Sequence, residues 1–182
     1  PAALFAMLVV GTVSDFLLQN SGLAHFMIAS MGASSLLLFV IPSSPISQPW
    51  ALFGGQMVSG IIGTTFALSV PDITIAAALA VPLSLIVMMY LNCLHPPGGA
   101  TALIPILLGP EIHEIGFLFV VTPIFINTVI LLGISLFVNR VILHRHYASQ
   151  SMPETEEVQQ KTNAIIKSSP FSKEDLKYAF DK

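Results

Sequence analysis

Residues 32–37 read Gly-Ala-Ser-Ser-Leu-Leu, and residues 99–104 read Gly-Ala-Thr-Ala-Leu-Ile. Each opens an apolar run with a glycine, an alanine and a hydroxyl, and the second follows His95-Pro96-Pro97-Gly98. Gly32, Ser34, Ser35, His95, Gly98, Gly99 and Thr101 have the chemistry of a small-anion site. A helix N-terminus offers free N–H groups and about half a positive charge, so it holds an anion without lysine or arginine. Gly98 and Gly99 would let backbone approach a ligand closely. Ser34, Ser35 and Thr101 add hydroxyl donors, and His95 adds an N–H, or a full charge when protonated. Plainer readings stand beside this one. His95-Pro96-Pro97 is also the composition of a turn between helices. The hydroxyls would equally bond carbonyls one turn back in their own helices.

The elements that must position these residues lie in lipid. Of 182 residues, 54% are hydrophobic and 9% charged, against about 25% charged in a soluble domain. No Lys or Arg occurs before Arg140, and the only acids there are Asp15, Asp72, Glu111 and Glu114. A bilayer core about 30 Å thick needs roughly 20 helical residues. Apolar segments run over about 2–18, 23–41, 50–69, 73–93, 98–109 and 115–138. The fifth is too short to span unless the His-Pro-Pro stretch crosses part of the membrane in extended form. Pro82 and Pro123 fall inside spans, where neighbouring groups can satisfy the freed carbonyls. The fold class expected is an all-α polytopic membrane protein. The transmembrane domain covers 1–139.

Aligning Gly32 with Gly99 gives an offset of 67 residues. The repeat units are then about 2–69 and 73–139. Three crossings in each unit make the two units inverted, with half-helices starting near Gly32 and Gly98 and their N-termini meeting at mid-membrane. Four spans plus two re-entrant segments is the alternative topology. Gly55, Ser59 and Gly63 repeat every four residues. Such a stripe serves close helix packing, within one protomer or in a homo-oligomer.

Composition changes after Arg140. Residues 140–170 read as a linker, and Arg140 and Arg145 after the last span place the C-terminus in the cytoplasm. Residues 171–182 open a soluble helical segment with Ser172 as N-cap. Pro1 already lies inside an apolar run, which reads as a span with further residues upstream. No nucleophile–base pair, phosphate loop or Cys/His metal spacing suggests an enzyme, a cofactor or a metal. The unbroken absence of basic residues over the first three-quarters argues against a nucleic-acid partner. Lipid and a small inorganic anion are the partners expected.

Three stretches, ASMGASSLLLF (29–39), SPISQPWALFGGQ (44–56) and LHPPGGATALIPILLG (94–109), resemble the HPP family of integral membrane proteins. The resemblance covers about residues 23–139. It implies a probable transporter, and chloroplast and cyanobacterial members are linked to nitrite. It also implies, for bacterial members, an inner-membrane location and a pair of CBS domains after the membrane part. FSKEDLKYAF (171–180) looks like the lead-in to such a pair. Two positions depart from the family pattern. Trp50 stands where a basic residue often follows the Gln-Pro pair, and Gln56 where a His often follows the Gly-Gly pair. Transport of a small monovalent anion, nitrite first, is the function this implies. An anion channel, or a membrane sensor or scaffold for a regulatory domain, is the alternative.

Overall fold

The computed structural model describes residues 2–17, 24–145 and Tyr147. Seven helices follow in chain order: α1 (Ala2–Leu17), α2 (Ala24–Val40), α3 (Pro49–Ser69), α4 (Ile73–Tyr90), α5 (Pro97–Leu107), the short α6 (Glu111–Ile115) and α7 (Val120–Ile142). A 3₁₀ turn, Pro45–Ser47, lies between α2 and α3. By length and composition, α3, α4 and α7 can each cross a membrane, and α1, α2 and α5 are shorter apolar helices. The protein is all-helical among the described residues. Of the linker expected over 140–170, residues 140–142 belong to α7, while residues 146 and 148–170 and the segment opening at Ser172 lie outside the described residues.

Local chemistry sets the boundaries. Pro49 starts α3 at a first-turn position whose N–H would have no partner. Asp72 caps α4 by accepting from the Ile75 N–H at 2.9 Å. Pro97 opens α5 at a first-turn position whose N–H would have no partner, with Pro96 already helical in φ and ψ ahead of it. His95, the residue before Pro96, stays outside the helix. Pro123 lies in a π-helical turn, Val120–Phe125, inside α7. Proline cannot donate, and a widened turn is one way a helix absorbs that loss.

Cross-helix contacts fix the direction of each crossing. The Trp50 indole donates to the Leu91 carbonyl, joining the start of α3 to the end of α4. The Asn139 amide donates to the Leu38 carbonyl, joining the ends of α2 and α7. Asn127 reaches Ser14, placing the end of α1 beside the first half of α7. A Cβ on Gly98 would meet Ser59, and one on Gly63 would meet Ala102, so α5 runs parallel to α3. Successive crossings therefore alternate, and corresponding helices of 2–69 and 73–139 point in opposite directions. Residues 91–96 carry the chain inward without helix. Eleven-residue α5 then covers about half the bilayer core and ends beside the first half of α4, where Ile106 packs with Ala76 and Ala80. The fifth segment thus runs alongside α3 from Gly55 to Gly63 without turning back.

Two expectations are corrected. No half-helix starts at Gly32, because α2 runs unbroken from Ala24 to Val40. Only the second copy of the repeat carries the two prolines that stop a helix. The Gly55–Ser59–Gly63 stripe is not free for a homo-oligomer. It lies against residues 95–102 of the same chain, since a Cβ on Gly55 would meet that of His95 and one on Gly63 would overlap the Ala102 backbone.

Candidate functional site

A polar contact joins the two repeats. Ser30 and Pro97, which correspond at the 67-residue offset, are joined by a 3.1 Å hydrogen bond from the Ser30 hydroxyl to the Pro97 carbonyl. Around this bond α2 contributes Ser30 and Ser34, α3 contributes Gln56, and α5 contributes Thr101. His95 comes from the non-helical approach to α5. All five side chains are fully buried.

Donors and acceptors can be followed atom by atom. The Gln56 amide nitrogen donates to the Ser34 hydroxyl at 3.1 Å and to the Ser30 hydroxyl at 3.3 Å. Its carbonyl oxygen accepts from Thr101 Oγ1. The Thr101 hydroxyl also meets the Ser30 hydroxyl. His95 Nδ1 lies 2.9 Å from the Ile46 carbonyl, in the 3₁₀ turn. A carbonyl only accepts, so Nδ1 carries the proton. Nε2 lies 2.8 Å from Ser34 Oγ. The Ser34 hydroxyl also lies 3.0 Å from the Ser30 carbonyl one turn back. Its single proton therefore has two possible acceptors, the Ser30 carbonyl and His95 Nε2.

Of the residues singled out by the repeat, Ser34, His95 and Thr101 meet in this cluster. The others do not. The Ser35 hydroxyl donates to the Gly32 carbonyl within α2, at 2.8 Å. Gly32 faces Met7 of α1, and Gly99 faces Val81 of α4. Gly98 is buried against α3, where a Cβ would lie 2.6 Å from Ser59 Oγ and 3.0 Å from the Gly55 carbonyl. Its bareness serves helix packing. The N–H groups of Gly98 and Gly99 donate to the carbonyls of His95 and Pro96 at 2.8 and 2.9 Å, and Pro96 and Pro97 have none. The donors expected from the start of α5 are thus already taken, and the polar chemistry of the junction belongs to side chains.

Two members of the cluster, Ser30 and Gln56, were not singled out from the sequence as site residues. Both left a signal. Ser30 precedes Ser34 by one helical turn and so shares its face. Gln56 is the one amide within an apolar span of 21 residues, and a polar side chain at membrane depth is costly unless partnered.

A second polar contact lies at the α1–α7 interface, where Asn127 Nδ2 is 2.6 Å from Ser14 Oγ. A third ties down the end of α7. Arg145 donates to the Phe39 carbonyl, and Tyr147 donates to the Ser47 carbonyl.

Known proteins match this sequence. The pattern described as "HPP, transmembrane region" matches residues 2–148. A transmembrane protein of Dictyostelium discoideum is 38% identical over 125 residues, covering 66% of this chain and 44% of its own length. A second from the same organism is 34% identical over 126 residues, covering 67% of this chain and 40% of its own. The chain thus spans less than half the length of these relatives. No solved structure matches it. A bundle of apolar helices whose fifth segment is broken at His95-Pro96-Pro97, matched from residue 2 to residue 148, belongs to the HPP family of integral membrane proteins.

Proposed function

We propose that this chain is the membrane domain of a transporter for a small monovalent anion, with nitrite the leading candidate. One observation carries the reading. Five fully buried polar side chains from three helices and a broken segment converge where the two repeats meet, in a membrane domain with no Lys or Arg before Arg140. Polar and ionisable side chains held at membrane depth are costly, and those that occur mark substrate and ion pathways.

The chemistry suits one small charge. An anion leaving water must exchange its hydration for donors. The Gln56 amide offers two N–H bonds and Ser30, Ser34 and Thr101 one O–H each. Hydroxyl protons rotate, so donors now turned toward partners in the cluster can turn toward an anion without moving the backbone. The start of α5 adds its partial positive charge from one side. Without a fixed cation, the site favours one delocalised negative charge over two. Nitrite, nitrate, formate and bicarbonate fit that description, and family resemblance puts nitrite first.

Arg140 in the last turn of α7 and Arg145 just after it orient the end of that helix, the 3₁₀ turn and the start of α3 toward the cytoplasm. Purified chain in proteoliposomes, offered nitrite, nitrate, formate, bicarbonate and chloride, tests the proposal. Saturable uptake of one anion above that of protein-free vesicles is expected. Flux that rises linearly with concentration would make the protein a channel. Uptake of none of the five would end the anion reading.

A further inference from the structure

We propose that His95 takes up a proton together with the anion, so that transport is an electroneutral proton–anion symport. The inference rests on the anion-transport reading above. It starts from the juxtaposition of one imidazole nitrogen with a hydroxyl that has two acceptors.

His95 Nδ1 is committed as a donor to the Ile46 carbonyl. Only Nε2 is left to gain or lose a proton. It faces Ser34 Oγ at 2.8 Å, and that same oxygen lies 3.0 Å from the Ser30 carbonyl. With Nε2 bare, the Ser34 hydroxyl donates to it. With Nε2 protonated, the hydroxyl turns to the Ser30 carbonyl and its oxygen accepts from Nε2–H. Gln56 donates to Ser34 Oγ in both cases. Every donor thus keeps an acceptor in either state, and the exchange needs one hydroxyl rotation. A buried network that tolerates both protonation states is unusual, because a partly satisfied one is costly.

Charge balance explains why the proton belongs with the anion. An unpaired anion in a low-dielectric site is severely penalised, and so is an unpaired imidazolium. Together they form one neutral pair. Among the described residues no other charged side chain hydrogen-bonds to the cluster: Arg145 is held by the Phe39 carbonyl and Asn139, and Tyr147 by the Ser47 carbonyl and Ser135. The groups facing the His95 neighbourhood are Ser34 from α2, Gly55 from α3, Met88 from α4 and the Ile46 carbonyl from the 3₁₀ turn. Cys93 is the nearest titratable group along the chain and packs on Gly54. Among the described residues of α3, α4 and α5, the nearest charged side chain is Asp72, which caps the opposite end of α4. In the step itself a proton from water on the entry side adds to the Nε2 lone pair as the anion enters. On release the N–H bond breaks, the proton leaves with the anion, and Ser34 turns back. No electrons move.

The test uses the full chain in proteoliposomes carrying a lumenal pH dye, with nitrite as probe and protein-free vesicles subtracted for leak of nitrous acid. Initial nitrite uptake should acidify the lumen. Its rate should not change when an inside-negative potassium diffusion potential is imposed. His95→Gln should lose the acidification that accompanies uptake, and its residual flux should slow under that potential. Wild-type uptake that slows under the potential and leaves lumenal pH unchanged would overturn proton coupling while leaving anion transport standing. Proton-coupled uptake by H95Q equal to wild type would overturn the assignment of the proton to His95. Absence of uptake of any anion by the wild type would instead remove the transport reading and this one with it. The wild-type measurements decide the coupling even if H95Q fails to insert. Ser34→Ala, which removes the hydroxyl facing Nε2, should then lower the lumenal acidification per nitrite. Unchanged coupling in S34A would overturn the His95–Ser34 assignment.

Discussion

The phenol of Tyr147 donates a 2.9 Å hydrogen bond to the carbonyl of Ser47, 100 residues earlier in the chain. Ser47 directly follows Ile46, whose carbonyl holds His95. Two successive carbonyls of one 3₁₀ turn are thus gripped from opposite directions. The polar cluster takes one, and the segment following α7 takes the other.

This grip makes the first prediction. Tyr147→Phe should destabilise the domain by about 1 kcal/mol, the net worth of a typical buried hydrogen bond, read from thermal unfolding in detergent. Burial pushes the Tyr147 phenol up from its ordinary value, and the bond from Ser135 partly offsets this. A pKa raised by folding stabilises fully below the unfolded value and is lost as pH rises through the folded one. Wild type should therefore lose stability above about pH 10, and the Phe variant should show less of that limb. Equal alkaline profiles would show that Tyr147 is not the group responsible.

Adjacent glycines should respond in opposite ways. A Cβ on Gly98 meets Ser59 Oγ and the Gly55 carbonyl, whereas one on Gly99 meets only Val81, at an ordinary 3.7 Å. Gly98→Ala should cost about 1–3 kcal/mol, as overpacking does. Gly99→Ala should be close to neutral in unfolding assays. The reverse order would mean that α5 does not seat on α3 as described.

Close approach of α3 to α5 should be equally strict at Gly63, which abuts the Ala102 backbone with no room for a side chain. Gly63→Ala should lower the yield of folded, monodisperse protein and shift its melting temperature down. Gly133→Ala is the matched control, because a Cβ there meets nothing within 4 Å. If the two variants melt together, the packing assigned to the small-residue stripe is wrong.

Thr101→Val separates a transport role for the cluster from a role as helix glue. Interhelical hydrogen bonds in membranes average about 0.6 kcal/mol, so the variant should fold and melt nearly as wild type does. Loss of the Thr101 donor to Gln56 should nonetheless cut nitrite flux at least severalfold. A variant with intact flux would leave the cluster a packing device only.

The six segments, their approximate bounds and the break at His95-Pro96-Pro97 were legible in the sequence. Lipid excludes charge, and proline removes an N–H and restricts its neighbour wherever it occurs; both constraints act locally. The similarity of residues 32–37 and 99–104 also marked two segments that meet at the polar cluster, through Ser34 on one side and Thr101 on the other, with His95 just ahead of the second. What the repeat did not carry was the role of each residue. Gly32 lies in an unbroken helix because its copy lacks the prolines, and Gly98 is bare because α3 passes beside it. Ser30 and Gln56 joined the cluster through helix rotation and through a contact between α2 and α3. Rotation and pairing follow from how small residues let backbones approach, which is a property of facing surfaces and not of any one segment. Composition determined that this chain enters a membrane and where it breaks. Packing alone decided which polar atoms meet there.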